Sequence, residues 1–440
     1  MKKSIAVILS LFLILTALSD VESSSDATYR ELDLLAKVLE LVKDTYVEEV
    51  DEQQLLEAAI RGMLNDLDPH SGYMDVSSFR ENQIQSRGEY GGLGMEIVPS
   101  NNVLRIVAPM DDTPASRAGL KAGDYITHID DEPLSQYTSD EAVELMRGPA
   151  GTDVKIRVFR EGEGEPFDLE LTREVIVLKT VRHRIERETI GYIRLTTFNN
   201  ENVADDLRDA IEDIKAELGD NLTGYVLDLR NNPGGLLDMA IDVTDIFLER
   251  GEIVSMRGRR ASENARWNAT RGDLTDGLPI VILVNAGSAS ASEIVAGALQ
   301  DHERATIVGE ESFGKGLVQT VYPLSDDRAV RVTTARYYTP SGKSIQGIGV
   351  IPNIIVEQPI FDRNGNRVKV RRERDLLGAL ENEEIAAEGE EIEPEQLVIS
   401  PEPEPDEDGN IPDYQLRYAL DLLLGVVQIE QRQAMNEKED

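Results

Sequence analysis

Apolar residues along this 440-residue chain fall into three regimes. Between positions 29 and 67 they recur at helical spacing. Leu32, Leu35, Leu39 and Val42 mark one face, and Leu55, Ala58, Ala59, Met63 and Leu67 another, so N-terminal helices are predicted over a region spanning 29–86. From 88 to 172 short alternating stretches sit between glycine turns. Residues 103–108, 125–129 and 154–159 read as strands and 139–146 as a helix, which sets this segment apart as its own module. From 175 to about 360 near-continuous apolar runs alternate with amphipathic helices. Strands are predicted at 190–195, 253–256, 280–284, 305–308 and 329–335, and helices at 205–218 and 237–248. Helices and parallel-type strands in alternation predict an α/β core, so the chain reads as a multidomain α/β (α+β) protein.

The two ends are different material. Met1-Lys2-Lys3 precedes an apolar run from Ile5 to Leu18, a length that reads as a secretory signal over 1–19. An uncleaved anchor in the inner membrane is the competing reading, and either one exports the body of the chain. Residues 381–413 hold 14 acidic and no basic residues, with Pro394, Pro401, Pro403 and Pro405, so 381–412 is predicted to be a disordered, solvated linker. An amphipathic helix follows at 413–432, whose apolar face needs cover from the core or from a second subunit.

Composition narrows the function. A net charge of −38 weighs against nucleic acid and anionic membrane surfaces as partners. The absence of cysteine excludes disulfides, thiol chemistry and cysteine-ligated metal. His70, His128, His183 and His302 have no metal-ligand spacing and read as structural or surface residues, so neither metal nor cofactor is expected.

One stretch carries candidate chemistry. The apolar run 279–284 leads into a turn of small residues at 285–291 and then a helix to 301. A serine in such a turn stands at a helix N-terminus, where free amides and the helix dipole favour a developing oxyanion. Ser288, Ser290 and Ser292 all qualify, and all three equally suit turn and N-cap roles. Downstream, Lys315 lies in a glycine-flanked loop, where Gly314 and Gly316 permit close backbone approach. A lysine whose pKa is depressed by burial can act as the base for a serine. Lys343 is a rival base on composition alone. The Gly234-Gly235 pair at a strand end lacks the lysine and spacing of a phosphate loop.

These motifs resemble those of carboxyl-terminal processing peptidases, tail-specific serine proteases with a Ser–Lys dyad. The resemblance rests on GSASASE at 287–293, FGKG at 313–316, the 25-residue separation of Ser290 from Lys315, RNNPGG at 230–235, DPHSGY at 68–73 and YYTPSGKS at 337–344. It runs from about Leu34 to Ile354, with a characteristic end near 413–424. It implies Ser290 as nucleophile, Lys315 as base and Gln319 as its support. It also implies an oxyanion hole from the amide of Ala291 and that of Gly234 or Gly235, in a ClpP/crotonase-like α/β spiral core.

Residues 88–172 are similar to a PDZ domain in the circularly permuted bacterial arrangement. The expected contacts to a peptide's terminal carboxylate are amides around Leu93, Gly94 and Met95, with Arg147 either sensing the ligand or serving as an ordinary surface arginine. The expected protein is a periplasmic serine endopeptidase. Its implied substrates have apolar C-termini, as in envelope proteins or cell-wall hydrolases, with an adaptor lipoprotein and a homodimer as further implied partners. Two other classes compete. A catalytically silent PDZ scaffold conflicts with the joint presence of Ser290, Lys315 and Gln319. An acyl-CoA enzyme of the crotonase type leaves the PDZ module and the export signal unexplained.

Overall fold

The computed structural model describes residues 27–100, 103–110, 112–162, 165–177, 179–270, 272–359, 370–382, 397–400 and 411–425. The signal expected over 1–19 and the part of the expected C-terminal helix beyond 425 lie outside these residues. The described chain forms two compact units divided at Tyr73. The first holds a helix over residues 27–45 and a second at Glu52–Asn65, capped by the Asp51 carboxylate on the amides of Gln53 and Gln54. Its 68–71 turn is held by Asp68, which accepts from the amides of His70 and Ser71 at 2.8 and 2.7 Å and from the Ser71 hydroxyl at 2.8 Å. Ser71 is therefore bonded to Asp68 through both its amide and its hydroxyl.

In the second unit, the 88–172 module is a five-strand antiparallel run. Met95–Ser100, Val103–Pro109, Tyr125–Ile129, Asp153–Phe159 and Phe167–Thr172 pair in that order. The helix Ser139–Met146 closes its core through Ala142 and Met146. A ribbon of Glu89–Gly92 against Glu174–Val177 brackets the module at both ends.

The larger domain is built on a seven-stranded sheet in the order Val181–Glu186, Ile190–Leu195, Gly224–Asp228, Ile280–Val284, Thr306–Gly309, Ile354–Val356, Leu397–Ile399. The first pair is antiparallel and the rest are parallel. Strand periodicity explains its two cores. Tyr225, Leu227, Ile280, Ile282 and Val284 face the helices Val203–Leu218, Leu237–Asp245 and Ala291–Asp301. Val226, Val281 and Leu283 face the opposite way, under Tyr414, Ala419, Leu420 and Leu423 of a helix over residues 414–425. The apolar face of the C-terminal helix is thus covered by the core of its own chain. A second sheet carries Glu252–Gly258, with Ala265–Asn268 on one side and Ala329–Tyr338 on the other, the latter also paired with Leu317–Pro323.

One expectation is corrected. Within the acidic 381–412 segment, Leu397–Ile399 pairs in parallel with Ile354–Val356, and Asn382 is buried, donating to the Ser344 and Gln346 carbonyls. Leu397, Val398 and Ile399 are three consecutive apolar residues, enough to occupy an open sheet edge whatever the charge around them. Residues 383–396 and 401–410 lie outside the described residues.

Leu420 is 4% exposed between helix and sheet. Leu420→Ala is expected to destabilise this domain by about 2–5 kcal/mol, measured by urea unfolding. An unchanged midpoint would contradict the docking.

Candidate active site

The strand Ile280–Val284 delivers the chain into the 285–290 turn, and the helix Ala291–Asp301 leaves it. The structure separates the three serines. Ser288 is fully buried, donating its hydroxyl to the Leu229 carbonyl at 2.8 Å and accepting from the Asn285 amide at 3.0 Å. Ser292 is equally buried, its hydroxyl on the Asn232 carbonyl at 2.9 Å. Both stitch the turn to residues 229–232. Ser290 is half-buried and its hydroxyl has no such anchor. Its backbone sits at φ 54°, ψ −110°, a region that costs a non-glycine residue about 1–3 kcal/mol. This strained junction is the N-cap of the helix that begins at the next residue.

The 229–235 turn lies directly against this junction. A Cβ on Gly234 would come within 2.7 Å of the Ala289 carbonyl and 2.9 Å of the Ala291 nitrogen, so only glycine fits. The Gly234 amide is taken by the Asn232 carboxamide at 3.0 Å. Gly235 enters a bridge to Phe198 in which the Phe198 amide donates to the Gly234 carbonyl and the Leu236 amide to the Phe198 carbonyl, neither of which uses the Gly235 amide. The Ala291 amide is in the first turn of its helix, where no intrahelical acceptor exists.

The loop between the strands Thr306–Gly309 and Leu317–Pro323 carries Lys315. Its amine donates to the Gln319 side-chain oxygen at 3.1 Å. The Gln319 amide nitrogen is buried, with no partner among the described residues. Gly316 packs on the 345–346 backbone, where a Cβ would stand 2.4 Å from the Gln346 nitrogen. Buried Gln346 accepts from the Gly316 amide at 3.0 Å and donates to Glu373 at 2.9 Å. Lys343 is exposed.

Glu293 joins the two halves. It is fully buried one helical turn from Ser290 and accepts four hydrogen bonds. The Ser290 amide (2.7 Å) and the Lys315 amide (2.9 Å) donate to one oxygen, and the Gly314 amide (2.7 Å) and Ser312 hydroxyl (2.5 Å) to the other. From the sequence this residue has no expected role. Its signal was an acidic residue at the third position of a helix otherwise lined by small and apolar side chains.

Leu93, Gly94, Met95 and Arg147 border one cavity of about 100 Å³, walled by Ile97, Val143 and Met146. Arg147 lies 5.1 Å over the Tyr90 ring and pairs with Glu81 and, at 3.3 Å, with Glu144. Burial works against its charge, and the Glu81 carboxylate more than offsets it. The histidines are engaged elsewhere. His302 meets the Glu252 carbonyl at 2.7 Å, His128 meets Thr127 at 3.0 Å, and His183 stands 3.6 Å from Asp213. Among the described residues no cluster of His, Cys, Asp or Glu is arranged to hold a metal.

Burial pushes the Glu293 carboxyl from 4.5 up to about 7, against its four donors. With the folded value raised, the stability tied to the protonated form is complete below pH 4.5 and is lost as pH rises through about 7. Glu293→Gln removes this titration. The wild type is expected to lose up to roughly 3 kcal/mol relative to that variant across this window, read from urea unfolding at a series of pH values. Parallel stability curves would contradict the assignment.

Family models match three stretches of the chain: Peptidase family S41 at residues 189–356, a PDZ domain at 105–160, and the N-terminal domain of the activating protease CtpB at 15–78. A carboxy-terminal-processing protease of Bartonella bacilliformis is 50% identical over 384 residues, spanning 87% of this chain and 88% of its own length. A carboxyl-terminal-processing protease of Synechocystis is 38% identical over 329 residues, spanning 73% and 76%. Among solved structures, the photosystem II D1 C-terminal processing protease is 30% identical, with a TM-score of 0.44 and coverage of 76% of this chain and 95% of that one. At 50% identity over 384 residues of such a relative, the chain belongs to peptidase family S41, as a carboxy-terminal-processing serine protease with a PDZ domain.

Proposed function

We propose that this protease works through a Ser290–Lys315 dyad and selects its substrates by their C-termini. The observation that carries the dyad is the arrangement around Glu293. One buried carboxylate holds both the Ser290 amide and the Lys315 amide, and Ser290 alone of the three turn serines has a hydroxyl not committed to the neighbouring turn.

In the proposed reaction neutral Lys315 takes the Ser290 hydroxyl proton as the oxygen attacks the scissile carbonyl carbon. The oxyanion is held by the Ala291 amide and by a turn amide, for which Gly235 is preferred because that of Gly234 already serves Asn232. Lys315 then passes its proton to the leaving nitrogen, the C–N bond breaks, and an acyl-enzyme remains on Ser290. Water, deprotonated by Lys315, attacks the ester carbonyl; the bond to the Ser290 oxygen breaks, Lys315 returns its proton to that oxygen, and the new C-terminal carboxyl is released. Gln319 holds the amine in line through its side-chain oxygen.

Substrate choice is assigned to the cavity beside Leu93, Gly94 and Met95. Its apolar walls suit an apolar terminal side chain, and backbone amides at its end suit the terminal carboxylate. The substrates on this reading are envelope proteins or cell-wall hydrolases met after export to the periplasm. An adaptor lipoprotein and a second copy of the chain are the proposed partners.

Ser290→Ala and Lys315→Ala are each expected to reduce turnover of a protein with an apolar C-terminal tail by at least about 1,000-fold, while fluorescence anisotropy shows tail binding retained. Cleavage persisting in either variant would overturn the dyad. Equal affinity for a tail ending in aspartate would overturn the selection rule.

A further inference from the structure

The strand Gly224–Asp228 ends in a buried polar network that the reaction as described does not use. The Arg230 guanidinium is 10% exposed and faces two carboxylates. From its own strand, Asp228 takes the Arg230 Nε at 3.0 Å and a terminal nitrogen at 2.7 Å. From the start of the C-terminal helix, 183 residues away in sequence, Asp413 takes both terminal nitrogens at 2.7 and 2.8 Å. Gln415 accepts a further bond at 3.2 Å, while its amide nitrogen donates to the Val356 carbonyl at 2.9 Å. Tyr192 and Arg194 complete the Asp228 side at 2.7 and 3.1 Å. Burial alone would raise the Asp228 carboxyl, and Arg230 outweighs it and holds the group below its ordinary value.

Arg230 is the residue from which the turn against Ser290 departs. Its neighbour Asn231, at φ 57°, exchanges two hydrogen bonds with the Asn285 side chain, at 2.9 and 3.0 Å. The Asn232 carbonyl receives the Ala289 amide at 3.0 Å and the Ser292 hydroxyl at 2.9 Å. Hydrogen bonds at three consecutive residues, Arg230, Asn231 and Asn232, therefore tie the C-terminal helix and both flanks of Ser290 to one backbone turn.

We propose that Asp413 is a positioning residue for peptide-bond hydrolysis: docked at the start of the C-terminal helix, it fixes Arg230 so that the 229–235 turn is presented against Ser290. A buried guanidinium left with one carboxylate relaxes toward water or toward Asp228, and its backbone moves with it. Displacements of this kind cost rate rather than affinity, because the substrate's tail is held elsewhere. The C-terminal helix thereby acts as a latch on the reaction centre, joined to the rest of the domain by the acidic segment and the Leu397–Ile399 strand.

The inference rests on Ser290 being the nucleophile, so its test is run on full-length protein whose Ser290→Ala variant is silent. A Ser290→Ala variant that still cleaves refutes the underlying reading rather than the latch, and the latch falls with it. With that control in place, Asp413→Asn is expected to lower kcat about ten-fold with KM and tail affinity unchanged. Asp413→Glu is expected to restore most of the rate. Asp421→Asn, on the same helix but 3.7 Å from exposed Arg187, is expected to leave it unchanged. In a double-mutant cycle, Asp413→Asn and Asn285→Ala act on one turn, so their combined loss is expected to fall well short of the product of the single losses. Wild-type kcat in Asp413→Asn, losses that multiply, or a matching loss in Asp421→Asn would each overturn the proposal.

Discussion

The proposed reaction centre depends on one buried carboxylate. Glu293 is fully buried, and its four hydrogen-bond donors come from the chain. Those donors belong to the two segments that carry Ser290 and Lys315. Burial disfavours the charge, and the donors can offset that cost only when both loops are in place. The carboxylate thus links the shape of one loop to the shape of the other. A strained residue at φ 54° persists where its surroundings over-determine it, and the Ser290 amide on Glu293 supplies part of that determination.

Around this centre the parallel sheet acts as a rigid base. The ends of Gly224–Asp228 and Ile280–Val284 adjoin, since the two strands pair in parallel, and the turns that follow them are sewn together by Ser288, Ser292, Asn285 and Asn231. Catalytic loops on such a sheet collect at the carboxyl ends of its strands, where helix N-termini also point. The opposite face of the same sheet is closed by the C-terminal helix, so the last described element of the chain supports the strands that lead into the site.

Much of this was legible from residue patterns. The strands Ile190–Leu195 and Ile280–Val284 fall where their apolar runs placed them, because a strand buried on both faces leaves few other readings for such a run. The helix Ser139–Met146 was equally plain from its period. The turn of small residues pointed to a serine but left three of them open, since hydroxyl partners depend on carbonyls sixty residues away, at Leu229 and Asn232. Glu293 went unassigned for the same reason: three of its four donors come from a loop about twenty residues downstream. The Arg230–Asp413 pair, 183 residues apart, has no local signature at all. The acidic segment shows the converse failure. Average charge described its composition well and concealed three apolar residues that complete a sheet edge.

The central claim is that covalent chemistry occurs at Ser290 within this hydrogen-bonded frame. The most direct measurement is intact-mass and peptide-mapping spectrometry of wild-type enzyme quenched in acid during turnover of an ester or peptide substrate. The account predicts an acyl adduct confined to the peptide containing Ser290, formed and lost at rates matching turnover. Turnover with an adduct on Ser288, Ser292 or another residue, or with no adduct under conditions where deacylation is rate-limiting, would contradict it.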